Sequence, residues 1–95
     1  MPADLDQTLC ALSDQTRRAI VELLRKRARR PSEVAAALSL NRPLLSRHLR
    51  VLRMAGLVAE QLVESDARAK MMRLRREPFH GLRSWLDEVE GLWTD

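Results

Sequence analysis

Three residues, Ser39-Leu40-Asn41, are all that separates two stretches of helical patterning near the middle of this chain, and so tight a connection forces the two helices to cross in contact. Upstream, the charged run Arg25-Lys26-Arg27-Ala28-Arg29-Arg30 ends at the breaker Pro31, and Ser32 with Glu33 opens a short helix that runs through Leu38. Downstream, Asn41 is a good N-cap and Pro43 falls in a first turn, where its missing N–H costs nothing. Leu45, Leu49 and Leu52 then line one face, and Gly56 closes the helix as a C-terminal cap residue. A short helix, a turn of about four residues and a second helix with a polar outward face is the unit that seats a helix in the major groove of DNA. Residues 32 to 55 are predicted to form that helix-turn-helix.

The flanks complete a small fold. Leu5, Leu9 and Leu12 recur at helical spacing, and Asp14 reads as the N-cap of a second helix whose apolar stripe is Ile20, Leu23 and Leu24, so two helices fill residues 4 to 27. After Gly56 the pattern becomes strand-like over Leu57 to Val63 and again over Lys70 to Leu74, joined by the polar residues 64 to 69 as a hairpin. From Pro78 a last helix carries Phe79, Leu82, Leu86, Val89 and Trp93 in a heptad-like seam that Trp85 and Leu92 widen. The predicted class is mainly α with a small β-hairpin: five helices, the hairpin between the fourth and the fifth, in one domain over residues 1 to 95.

Ninety-five residues bury a modest share of their surface, so a second copy adding core is expected. The net charge of +4 conceals a segregation that says more. Residues 1 to 16 carry −3 and residues 77 to 95 carry −4, whereas residues 17 to 76 set 16 Lys and Arg against Glu22, Glu33, Glu60, Glu64 and Asp66, a net +11. The middle is suited to a polyanion and the ends are not. No apolar run approaches the roughly 18 to 20 residues of a membrane span. Asp4 and Asp6 in an N-terminus without basic residues argue against a targeting peptide, and the lone Cys10 fits a reducing compartment, so a cytoplasmic location is expected.

With Leu45, Leu49 and Leu52 turned inward, the fourth helix presents Arg42, Ser46, Arg47, Arg50 and Arg53 outward, with His48 at the flank. Guanidinium groups there suit guanine edges or phosphate oxygens, Ser46 suits either, and Leu44 near the start suits a thymine methyl. The segments Leu12-Ser13-Asp14-Gln15-Thr16-Arg17-Arg18-Ala19-Ile20, Leu45-Ser46-Arg47-His48-Leu49-Arg50-Val51-Leu52 and Ala55-Gly56-Leu57-Val58 resemble the ArsR/SmtB family of winged helix-turn-helix repressors. The resemblance implies a homodimer with paired recognition helices in successive major grooves of a palindromic operator, and a wing over residues 57 to 75 with Arg68 and Lys70 near its tip against the DNA. Helices within 1 to 13 and 78 to 95 would then form the dimer, through Leu5, Leu9, Phe79, Leu82, Trp85, Leu86, Val89 and Trp93. Pro43 and the tryptophan-bearing last helix further resemble the subgroup encoded beside START-type proteins.

The metal sites of that family do not carry over. Where thiolate-sensing members hold a cysteine pair this chain has Ser32-Glu33-Val34-Ala35-Ala36-Ala37-Leu38, and on the last helix His80, Asp87, Glu88 and Glu90 are too few good donors for a tetrahedral site. No metal or other cofactor is expected, and the effector ligand is unknown: sensing is either lost or served by a ligand in the dimer interface. Cys10 reads as a buried small hydrophobe rather than a redox sensor, His48 as a residue that packs beside the helix or bonds a phosphate, and His80 as solvated. No catalytic grouping is visible, so an enzyme is not expected. A protein-interaction module or a non-specific nucleic-acid binder are the alternatives; with no Tyr, and Phe79 in the seam, the aromatic platform for single strands is missing.

Overall fold

The structure, a computed structural model, describes residues 5–63 and 66–94, the side chains of 66–69 and 92–94 excepted. Its elements run α1 (Leu5–Leu12), α2 (Gln15–Lys26), α3 (Pro31–Leu38), α4 (Arg42–Met54), β1 (Val58–Val63), β2 (Asp66–Leu74) and α5 (Glu77–Thr94). This is the five-helix, one-hairpin order that the periodicity predicts.

Local chemistry accounts for most boundaries. The Asp14 carboxylate accepts the backbone N–H of Arg17 at 3.0 Å, and the Asn41 side chain accepts that of Leu44 at 2.9 Å, so α2 and α4 each start on an oxygen that satisfies an orphan donor. At the end of α4, Gly56 takes φ +76° and donates to the Arg53 carbonyl, while Leu57 donates to the Leu52 carbonyl. Such a left-handed cap strains any residue with a Cβ. Pro31 departs from the expectation. It is the first residue of α3 rather than a breaker before it, because a first-turn position needs no N–H and wants the φ that proline already has. Glu33 reaches back from that first turn to accept the Arg30 N–H at 3.1 Å.

The strands pair antiparallel with Val58 opposite Leu74 and Leu62 opposite Lys70. β2 begins at Asp66, four residues earlier than its apolar pattern, because backbone pairing does not need apolar side chains; the register is irregular between Leu62 and Val63. A further contact was not legible in the sequence. Arg29, in the α2–α3 connection, bridges Met72 with both backbone hydrogen bonds, at 3.0 and 2.7 Å.

The core gathers Ala11 of α1, Ile20 and Leu24 of α2, Val34 of α3, Leu45, Leu49 and Leu52 of α4, Val58 of β1 and Met72 of β2, with Leu57 before β1, and Phe79 of α5 packs against it. Each large aliphatic side chain there contributes about 2 kcal/mol on leaving water. The whole predicted stripe of α4 is in it, so the rotation of that helix about its axis is set by packing. α5 lies against α1 and extends beyond the body, and the Cα radius of gyration of 15.0 Å exceeds the roughly 12 Å of a self-contained domain of this length.

Candidate nucleic-acid interface

Burying Leu45, Leu49 and Leu52 leaves Pro43, Arg47 and Arg50 on the far side of α4 and Arg42 and Ser46 on its flank, all exposed. Leu44 is exposed at the start of the helix as well, with 37% of its surface open. Among the described residues, none makes a side-chain hydrogen bond or ion pair with Arg42, Arg47 or Arg50. Several arginines elsewhere are occupied. Arg25 pairs with Glu22 at 2.9 Å, Arg27 with Glu33 at 3.4 Å, and Arg18 caps the Leu12 carbonyl at 2.8 Å.

Three residues of the expected face stand differently. Arg53 does not project freely: its Nη1 is 2.7 Å from Oε1 of Glu60 on β1, a seven-residue separation that only the return of the chain into the hairpin closes. Lys70 is exposed but is not at the tip of the hairpin. It sits within β2 opposite Leu62, and its Nζ is 3.7 Å from Oε2 of the same Glu60. His48 is turned away from the exposed side, with 12% of its side chain open and its Nδ1 3.3 Å from Nη1 of Arg17 and 4.0 Å from Oδ1 of Asp14. The α1–α2 corner packs on that edge of α4 and draws the ring in. The side chain of Arg68 lies outside the described residues.

Beside this face, a cavity of 380 Å³ opens between α3, α4 and the hairpin, lined among others by Ser32, Arg42, Ser46, Arg53 and Glu60. Cations thus border the groove from α4 and one carboxylate borders it from β1. Two nearby acids, Asp14 and Glu33, are locally committed. The Arg17 backbone N–H holds the Asp14 carboxyl below its ordinary value, opposed by burial and reinforced to a smaller extent by the Arg17 charge. The Arg30 N–H and then Arg27 do the same for Glu33. Sequence reasoning missed Glu60 and Arg17 as organisers of the site. Their partners lie on other elements, and only the acidic residue inside a basic segment was a signal.

The residues assigned to a dimer divide. Leu5 is 7% exposed and Phe79 packs on the core of its own chain, so neither offers much surface to a partner. Leu9 and Leu86 are exposed, Leu82, Trp85 and Val89 are half-buried, and the Trp93 side chain lies outside the described residues. Cys10 is exposed in the single chain rather than buried as a small hydrophobe, because α1 turns its Leu5, Thr8 and Ala11 side inward. His80 is exposed, as predicted. Among the described residues no group of three or more His, Cys, Asp or Glu side chains is placed to hold a metal ion, and no helix is long and apolar enough to cross a membrane.

Comparison with known proteins agrees with this geometry. Residues 14–60, from the cap of α2 into β1, match the family described as bacterial regulatory proteins of the arsR family. The HTH-type transcriptional regulator Rv2034 of Mycobacterium tuberculosis is 36% identical over 89 residues, which span 94% of this chain and 78% of that protein. An ArsR-like transcriptional regulator from Rhodococcus sp. RHA1 superposes with a TM-score of 0.85 at 26% identity, over 97% of this chain and 82% of that one. The homodimeric winged helix-turn-helix DNA-binding domain of Mb0332 from Mycobacterium bovis shares the fold, with a TM-score of 0.71 at 23% identity over 93% of this chain and 79% of that one. With its helix-turn-helix over α3 and α4 and its hairpin as the wing, the chain belongs to the ArsR family of winged helix-turn-helix DNA-binding transcriptional regulators.

Proposed function

We propose that this regulator is a repressor that binds a palindromic operator as a homodimer, reading bases through the exposed side of α4 and bracing on the backbone through the wing. The observation that carries this is the state of the α4 arginines. Arg42, Arg47 and Arg50 are exposed and unengaged among the described residues, next to Ser46, where a helix entering a major groove needs donors. Residues 32–55 act as the reading unit, 57–75 as the wing, and 1–13 with 78–95 as the dimer scaffold. The dimer is supported by the apolar surface left by Leu9, Trp85, Leu86 and Val89 on α1 and α5, away from the basic segment, and by the homodimeric state of the Mb0332 domain. The function is regulatory rather than catalytic, and it is exercised in the cytoplasm where the DNA lies.

The test is selection of duplexes from a random library by the full chain, followed by affinity measurement on the selected duplex and a scrambled one. The expected result is a two-fold symmetric consensus with half-sites one helical turn apart, near 34–36 Å. A selection that converges on no sequence defeats the reading and favours non-specific binding.

A further inference from the structure

The last carbonyls of a helix have no partner within it and must be satisfied from outside. At the end of α1, Ser13 donates its backbone N–H at 3.2 Å and its hydroxyl at 2.6 Å to the Cys10 carbonyl. Arg18 caps the Leu12 carbonyl, and Arg17 donates from Nε to the Ala11 carbonyl at 2.7 Å and from Nη2 to the Cys10 carbonyl at 3.2 Å. Its remaining edge, Nη1, lies 3.3 Å from Nδ1 of His48, 31 residues along the chain and on α4. One guanidinium in the first turn of α2 therefore joins the carbonyl end of α1 to the flank of α4, one residue from Arg47.

Arginine carries only donors and keeps its proton, so this contact exists only while Nδ1 of His48 presents a lone pair. The ring is then neutral, with its proton on Nε2. A second proton would set a donor against a donor, and the acceptor at hand is Asp14, whose Oδ1 is 4.0 Å from the ring and already accepts the Arg17 backbone N–H. Arg17 and Asp14 are the charged groups that face the ring from the α1–α2 corner. The Cys10 thiol on α1 and Arg47 on α4 are exposed.

We propose that Arg17 and His48 are positioning residues for DNA reading: their contact seats α4 against the end of α1, and because it requires a neutral imidazole, specific binding weakens on acidification. Both act through the seat of α4 rather than on a base. The proposal rests on α4 being the reading helix.

The test measures affinity of the full chain for a duplex selected by the wild-type protein and for a scrambled duplex of equal length. Measurements run from about pH 8 to about pH 5.5, where imidazoles change charge. Acidification is expected to weaken the selected duplex about tenfold more than the scrambled one, the scale of one hydrogen bond to a charged group. His48→Ala shows that loss already at the upper pH. His48→Gln, whose amide oxygen accepts from Arg17 but does not titrate, recovers affinity relative to His48→Ala and flattens the pH response, whereas His80→Gln keeps the wild-type response.

A His48→Gln protein with the wild-type pH response, or a His48→Ala protein as tight as wild type on the selected duplex, overturns the proposal. Nitrogen-15 NMR of the free wild-type protein needs no variant to fold: a proton on Nε2 with an unprotonated Nδ1 is expected, and a neutral ring protonated on Nδ1 overturns it. If Arg47→Ala leaves discrimination between the duplexes intact, the reading of α4 fails and the positioning role falls with it. If Arg47→Ala destroys discrimination while the His48 variants change nothing, only the positioning role fails.

Discussion

What an arginine contributes depends on what its N–H groups already hold. Arg17 has three acceptors within hydrogen-bond distance and Arg53 has Glu60 at 2.7 Å, while none of the described residues engages Arg47. An unengaged guanidinium meets a base edge without first breaking a bond, so Arg47→Ala is expected to cost roughly 1–3 kcal/mol on the selected duplex and far less on a scrambled one. Direct titration of both duplexes checks this. Glu60 has the opposite effect. Its carboxylate engages Arg53 and lies near Lys70, so Glu60→Gln should tighten binding to both duplexes alike and steepen the dependence of log affinity on log salt by about one phosphate contact or more. Unchanged salt dependence would mean that Arg53 and Lys70 stay clear of the phosphates. At this scale the chain was legible in part. Arg47 lies opposite the leucine stripe and Ser46 about a quarter-turn from it, and the exposure of both follows from spacing, but His48 lies at the stripe's edge, where the packing neighbour decides which way a side chain turns.

At the scale of elements, α4 and α2 each begin on a side-chain oxygen. Asn41→Ala removes the α4 cap and is expected to cost about 1 kcal/mol of stability, read as a lower denaturant midpoint with unchanged slope. The Asp14 cap adds a pH dependence whose sign follows from the Arg17 N–H and charge that depress its carboxyl in the folded chain. A depressed carboxyl contributes stability above its ordinary value of 3.8, and that contribution is lost as pH falls through the lower folded value. Between about pH 5 and about pH 2, the wild-type melting temperature should therefore fall more steeply than that of Asp14→Asn, whose amide still caps but does not ionise. Equal slopes would remove Asp14 from the acid response. These helices were legible because caps, stripes and the Gly56 turn act between residues one to four apart. Pro31 at the start of α3 and the early start of β2 were misread for related reasons: proline both breaks and begins helices, and strand pairing is decided by the partner strand.

For the whole molecule, α1 and α5 leave apolar side chains, Leu9 and Leu86, exposed that a self-contained domain would cover. Leu86 is 49% exposed, and Leu86→Glu should shift sedimentation from dimer towards monomer while leaving the melting of the single chain little changed. A variant that remains dimeric would move the interface off this part of α5. Spacing marks Leu5 and Phe79 as apolar without telling whether the chain's own core or a second copy covers them, and here the chain's own core does.

The two-bond bridge between Arg29 and Met72 ties the connection before α3 to the middle of β2, and the Met72 side chain is buried in the core. Wing and helix-turn-helix are therefore expected to share one opening event. In native-state hydrogen exchange the Arg29 and Met72 amides should lose protection together, at one free energy that rises in step when DNA holds either element. A loop residue with no partner would exchange far sooner, and Arg29 doing so would show that the two halves breathe independently.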